Sequence, residues 1–387
     1  MKLLYIHNSY LDSQSANTLQ VLYMCNAFEE LGCQIQLALP FHRKKQKNQN
    51  IIIKEKLGKY PNFHIINFKR HDIFGRMKWI SGYSGIKTII KNCKYDIIYT
   101  RLPISLIIAM AMGKKTIYES HNFIMHNNSP LLSKYFQNQL IKLSNSKNFL
   151  KIVVISNNLK KKWIDAGINS KKLLVLHDAI CEDEFIENRD MLLERKKLNL
   201  PLDRKLVVYV GSLYKNRGIE NIIELAKLNK DPYFVVVGGP ELQRIKYEKM
   251  AKNENIKNIL FAGYVSHQKV LSYLFSSDVL LMIWTNKINT INYCSPLKVF
   301  EYMAAGRVIV GHKFPTISEV LTNNENAFLV PTGSVNELNV ALQKALQLEY
   351  PNAMVEKARK LVFENYTWKI RAKKIIEEIN NFERYSY

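Results

Sequence analysis

Short, almost unbroken apolar runs alternate along this chain with longer stretches in which apolar residues return every three or four positions. The runs at 3–7, 34–39, 64–68, 96–100, 116–119, 151–155 and 173–176 predict strands. Their apolar residues are consecutive, as in parallel strands covered on both faces. Residues 16–31 predict a helix, with Ser15 as its N-cap and Gly32 as its stop. Residues 182–205 are charged, contain Pro201 and lack a strand pattern, so they read as a partly helical connection. A second series follows, with strands at 206–210, 234–237, 259–261, 279–283, 308–310 and 327–330. Helical patterns lie between these strands at 219–228, 241–253, 268–275, 298–305 and 335–346, and a charged amphipathic helix is expected at 368–382. Strand–helix alternation on both sides of a connection predicts two doubly wound α/β domains. Ligands of such sheets bind beyond the carboxyl ends of the strands, and a cleft between the two domains is the expected site.

Length and composition add bounds. A chain of 387 residues with 47% hydrophobic residues exceeds one ordinary core and can fill two. The five cysteines are scattered, with no Cys-x-x-Cys pair, which favours buried structural thiols in a reducing compartment over a disulfide framework or a zinc site. The first residues do not read as a signal peptide, and the longest apolar run, 104–112, is too short to cross a bilayer. Formal net charge is +23, with basic clusters at 43–45, 114–115, 160–162, 171–172 and 195–197. Such an excess implies an anionic partner: a membrane surface, a phosphorylated substrate or nucleic acid. No nucleic-acid-binding module accompanies the charge, so nucleic acid is not expected.

Two segments carry chemistry. In the first, Ser295 to Gly306, Pro296 suits the first turn of a helix, where a missing N–H costs nothing. The free N–H groups of that turn, with the helix dipole, favour an anion such as a diphosphate. Lys298 adds a positive charge, and Glu301 lies on the same helix face, where its carboxylate can accept two ribose hydroxyls. A capped surface helix with an i,i+3 ion pair would leave the same pattern. In the second segment, Tyr209 to Gly218, a strand ends at Gly211 and the following loop carries Lys215 and Arg217 into a helix. That puts cations at the carboxyl edge of the second sheet, although a solvated turn reads the same way.

Together the two segments resemble the family-4 (group 1) retaining glycosyltransferases of the GT-B superfamily. Val237–Gly238–Gly239–Pro240, the run from Asn258 to Val265 and Ser277–Asp278–Val279 resemble successive strand ends of that family. Ile155 to Leu159, His177–Asp178–Ala179 and the terminal Tyr366–Thr367–Trp368 follow in the family's order. The resemblance covers nearly the whole chain and is more specific in the second half. It implies two Rossmann-like domains facing across a cleft, with the last helix crossing back onto the first. Residues 1–185 with 367–387 would form the acceptor-side domain, 186–204 the linker, and 205–366 the nucleotide-sugar domain.

The implied activity is transfer of a sugar, with retention, from a UDP- or GDP-sugar, with no cofactor and no metal. Arg217 and Lys298 would hold the diphosphate, Glu301 the ribose, and the backbone of Ser295, Pro296 and Leu297 the phosphate side. His121, after a predicted strand, matches a family position at the acceptor side; nearby His126 does not. Two positions depart from the family. Tyr293 stands where the family has a first Glu, which changes sugar recognition, and Ser212 stands where it has an Arg after Gly211, leaving charge to Arg217 and Lys215. The first-strand loop, with Ser15 and Asn17 where the family often has two glycines, is assigned a binding role. The expected setting is envelope polysaccharide or glycolipid synthesis, with a glycan or lipid-linked acceptor and peripheral attachment at the cytoplasmic face. Basic segments such as 41–47 would dock on anionic lipid. The substitutions at 293 and 212 leave a second expectation, a catalytically silent transferase-like subunit or binding module.

Overall fold

A computed structural model describes residues 1–13, 15–41, 48–69, 82–123, 130–186, 189–350 and 352–384. The chain divides into two units, Met1–Asp178 with the C-terminal helix from Trp368, and Ala179–Thr367.

The first unit holds a seven-stranded sheet, β1 Lys2–Ile6, β2 Gln34–Pro40, β3 His64–Phe68, β4 Ile97–Thr100, β5 Thr116–Ser120, β6 Phe149–Val154 and β7 Leu173–Val175. The strand order is β3-β2-β1-β4-β5-β6-β7, and every pair is parallel. Helices α1 Ala16–Glu30, α2 Gln49–Leu57, α3 Tyr83–Asn92, α4 Pro103–Ala111, α5 Pro130–Ser144 and α6 Asn157–Asp165 make the crossovers. Leu4, Ile6, Ala38 and Ile98 pack with Ile86, Ile90, Ile108 and Ala109 in a core on one face of the sheet. The C-terminal helix, Trp368–Arg384, lies on α1, with the rings of Trp368 and Tyr23 stacked at 6.1 Å. Ser15 takes the N-cap position of α1 in extended backbone, but its side chain makes no capping bond. Its hydroxyl lies 3.3 Å from that of Thr18.

The second unit has six parallel strands in the order β10-β9-β8-β11-β12-β13. They are β8 Leu206–Val210, β9 Tyr233–Val237, β10 Ile259–Gly263, β11 Val279–Met282, β12 Val308–His312 and β13 Phe328–Val330. The helices are α7 Met191–Lys197, α8 Ile219–Leu228, α9 Glu241–Asn253, α10 His267–Ser276, α11 Leu297–Ala304, α12 Val335–Leu346 and α13 Ala353–Asn365. Alternation along β8 sends Val207 and Tyr209 into one core and Leu206, Val208 and Val210 into the other. This explains the unbroken apolar runs, because each strand face meets a helix layer.

The expected linker, 186–204, is not a separate connection, and the first domain ends before 185. Residues from Ala179 belong to the second unit. Helix α7 packs on α10, and the buried Arg195 guanidinium bonds Asp278 at 2.5 Å and the Ser276 carbonyl at 2.8 Å. Asp278 also accepts the Leu206 N–H at 2.6 Å, so this charged helix is fastened to the root of β8. Its charge looked like solvent exposure because the partner lies 83 residues away. None of the five cysteines is in a disulfide. Among the described residues, no helix is long and apolar enough to cross a membrane.

Candidate functional site

In each sheet the strand order reverses beside the first strand of the unit, between β1 and β4 and between β8 and β11. The crevice at the carboxyl ends of such neighbours is where doubly wound folds take ligands. Both units place a cluster of polar side chains there.

In the second unit, β8 ends at Gly211, whose N–H bonds the Val237 carbonyl at 2.9 Å. Gly238 comes so close that a Cβ on it would lie 1.8 Å from the Gly211 carbonyl oxygen, at φ +137°. Only glycine allows this approach of two strand-end turns. The hydroxyl of Tyr302, from α11, accepts the Val210 N–H at 2.9 Å and so pins α11 against the end of β8. One turn earlier on α11, Lys298 consequently reaches the space over Gly211: a Cβ there would lie 2.8 Å from Nζ.

The Lys298 ammonium lies over two ring faces. It lies 4.1 Å from the centre of the Tyr209 ring and 5.5 Å from that of Trp284, just past β11. Arg217 stacks on the same Trp284 at 4.8 Å. The Lys298 Nζ is buried with no hydrogen-bond partner among the described residues. Burial, reinforced by Arg217 and opposed by Glu301, lowers its pKa to about 7. Two cations share one aromatic wall, and burying a cation without a hydrogen-bond partner costs free energy that a bound anion would offset.

Glu301 follows on α11 and is partly buried. Burial pushes its carboxyl up, His267 and Lys298 pull it down, and Glu184 pushes it up. His267 lies 3.0 Å from the Glu184 carboxylate. Pro296 is the N-cap of α11 and not its first residue, so the free N–H groups begin at Leu297. Ser295 is buried beside it, and Tyr293 is buried in the preceding turn, its N–H on the Thr290 carbonyl at 3.0 Å. Lys215 is exposed on the loop, outside the Lys298–Trp284–Arg217 stack.

The sequence reading thus placed Gly211, Arg217, Lys298 and Glu301 in what proves to be one neighbourhood, but missed its walls. Trp284 stands in no motif, and only the adjacency of β8 and β11 pairs it with Tyr209.

In the first unit, His121 follows β5 directly and lies against Glu119, also on β5. Glu119 is buried and bonded by the Tyr99 hydroxyl and by His121 Nε2. Arg371 of the C-terminal helix stands 3.1 Å away and Arg101 3.9 Å away. Burial alone would raise the Glu119 carboxyl, but Arg371, Arg101 and His121 outweigh it and hold it well below the usual range. Burial and Arg101 lower His121 to about 4 against the opposing pull of Glu119, so the imidazole is neutral at pH 7. Asn17 lies 3.4 Å from the buried His7 and 3.5 Å from the Ser9 hydroxyl, at the end of β1. Gln20 donates to buried Asp178 at 2.6 Å, and burial raises that carboxyl to about 7. His126 and residues 42–47 of the basic segment lie outside the described residues. Among the described residues, no group of three or more metal-ligating side chains could hold an ion.

Residues 19–184 match the family described as Glycosyltransferase Family 4, and residues 190–361 match that described as Glycosyl transferases group 1. The chain belongs to the group 1, family 4 glycosyltransferases of the GT-B fold. A glycosyltransferase of Methanocaldococcus jannaschii, itself uncharacterised, is 27% identical over 84% of this chain and 85% of its own. The lipopolysaccharide 1,2-N-acetylglucosaminetransferase of Salmonella typhimurium is 25% identical over 61% of this chain and 63% of its own. Among solved structures, Anabaena HepE in complex with UDP and glucose superposes with a TM-score of 0.73, at 14% identity, over 98% of this chain and 99% of that one.

Proposed function

We propose that this glycosyltransferase moves a sugar from a UDP- or GDP-sugar to a glycan or lipid-linked acceptor in envelope polysaccharide or glycolipid assembly, with retention and without a metal. The observation that carries the donor assignment is the Lys298 ammonium, buried over Tyr209 and beside Arg217 with no hydrogen-bond partner among the described residues. A diphosphate supplies the missing negative charge. As the glycosidic bond to phosphate breaks, charge grows on the leaving oxygen, and fixed cations and helix N–H groups stabilise it where a metal otherwise would. Glu301 accepts the ribose hydroxyls, and Leu297 and Lys298 offer backbone N–H groups to phosphate.

For the chemical step we favour attack from the face that the phosphate leaves. The acceptor oxygen bonds the anomeric carbon, the carbon–phosphate oxygen bond breaks, and the acceptor proton passes to the departing phosphate. Glu119 is poorly suited to form a covalent intermediate, because its oxygens are engaged by Tyr99, His121 and Arg371. His121 would accept a hydrogen bond from a substrate hydroxyl.

The envelope setting is supported by the Salmonella relative's name, and the uridine donor by the UDP in HepE. Attachment to anionic lipid at the cytoplasmic face rests on the charge of +23. Flotation with anionic vesicles tests that part, and equal recovery with neutral vesicles would remove it. A thermal-shift screen against UDP-, GDP-, ADP- and CMP-sugars tests the donor assignment. Stabilisation by one nucleotide class, lost in Lys298→Ala and Glu301→Ala, is the expected result. No shift with any donor would favour a silent binding module.

A further inference from the structure

The cluster around Glu119 contains more than a histidine and a neighbour. Four elements converge on one carboxylate: β4 supplies Tyr99, the turn after it Arg101, β5 Glu119 itself, and the C-terminal helix Arg371. Arg371 also donates to the carbonyls of Leu176 and His177, the latter at 2.7 Å, just past β7. One buried guanidinium from the end of the chain therefore ties the carboxyl end of β7 to that of β5. A carboxylate gripped this way cannot rotate to follow a ligand, so its oxygens are fixed points for whatever bonds them.

His121 Nε2 bonds one of those oxygens. An ionised carboxylate only accepts hydrogen bonds, so Nε2 must carry the proton. In a neutral imidazole the other ring nitrogen, Nδ1, is then an acceptor. We propose that Glu119, clamped by Arg371 of the C-terminal helix, is a positioning residue that locks His121 in the Nε2–H tautomer and turns Nδ1 toward a sugar hydroxyl as a hydrogen-bond acceptor. A proton-bearing Nδ1 could only donate to that hydroxyl and could not accept its proton. The C-terminal helix thereby sets the chemistry of a residue far from it in sequence. The direction of Nδ1's partner rests on the transferase reading above; the tautomer does not.

The test separates the two. In the full chain with nitrogen-15-labelled histidine, the His121 ring is assigned by the signals lost in His121→Asn. At pH 7 the expected pattern is a single neutral tautomer with Nε2 protonated, with or without substrate. A protonated Nδ1, a fast mixture of tautomers or a doubly protonated ring overturns the inference, and the only variant this reading needs folded is His121→Asn. In Glu119→Gln and Arg371→Lys the tautomer is expected to become mixed, and kcat to fall about 100-fold while the donor KM changes little. An unchanged tautomer in both variants also overturns the inference. A mixed tautomer with undiminished turnover would support the positioning role and remove His121 from the reaction, which would count against the transfer mechanism alone.

Discussion

The two units bury charge at equivalent places, the carboxyl ends of the strands where the sheet order reverses, and treat it in opposite ways. In the first unit Glu119 is surrounded by Tyr99, His121, Arg101 and Arg371, so attraction offsets the cost of burial. In the second unit Lys298 and Arg217 share Trp284, and Lys298 Nζ has no hydrogen-bond partner among the described residues. A closed ion cluster acts as a frame that holds other groups still. A buried cation without a hydrogen-bond partner carries a desolvation cost that a bound anion would offset. On the reading proposed above, the contrast is that between a positioning centre and a binding centre.

The largest effect should come from breaking the closed cluster. Arg371→Met leaves Glu119 buried with less compensation and should cost about 3–5 kcal/mol of stability by denaturant titration. Lys298→Met should do the reverse, leaving stability unchanged or higher, because it deletes a buried charge that has no hydrogen-bond partner among the described residues. If both variants lose stability alike, the distinction between the two centres fails.

Turnover should rank the other way. Lys298→Met is expected to lower kcat about 10²–10³-fold with a nucleotide sugar, the range for losing one stabiliser of a developing anion. Gly238→Ala forces a Cβ to within 1.8 Å of the Gly211 carbonyl oxygen and a side chain into φ +137°. It should cost about 1–3 kcal/mol of stability and weaken donor binding by displacing Gly211. Glu301→Gln keeps the shape but not the charge and should raise the donor KM about 10-fold. A Glu301→Gln enzyme with wild-type KM would take ribose recognition away from this residue.

A pH slope is expected as well. Lys298 titrates near 7 in the folded protein against an ordinary 10.5. Between those values the unfolded chain binds the proton that the folded chain has released, so Lys298 makes stability rise with pH through that window. The wild-type curve should show this rise relative to Lys298→Met, and parallel curves would mean that Lys298 is not buried as a strained cation.

The same contrast explains what the sequence revealed. The second-unit centre is largely local: Lys298, Glu301 and the N-terminus of α11 lie within one short segment, so residue type and helical spacing marked them as candidates, and the resemblance to the family supplied their expected roles. The first-unit centre is assembled from β4, β5, the segment past β7 and the C-terminal helix, with Arg371 reaching a carbonyl 194 residues earlier. Arg371 sits in a charged helix pattern that gives no sign of burial, and neither does Arg195 of α7. Long-range ion pairs hide core positions behind surface-like composition. The strands were legible because parallel strands are apolar on both faces, whereas their order, which puts Trp284 beside Tyr209, is a property of topology.

The central claim is that Lys298 is a neutralisable cation awaiting a diphosphate. Calorimetric titration of a nucleoside diphosphate at pH 8, in two buffers of different ionisation enthalpy, tests it most directly. Binding should draw a proton onto Lys298, so the wild type should take up protons and Lys298→Met should not. Binding without proton uptake in the wild type, or with equal uptake in the variant, would contradict the account.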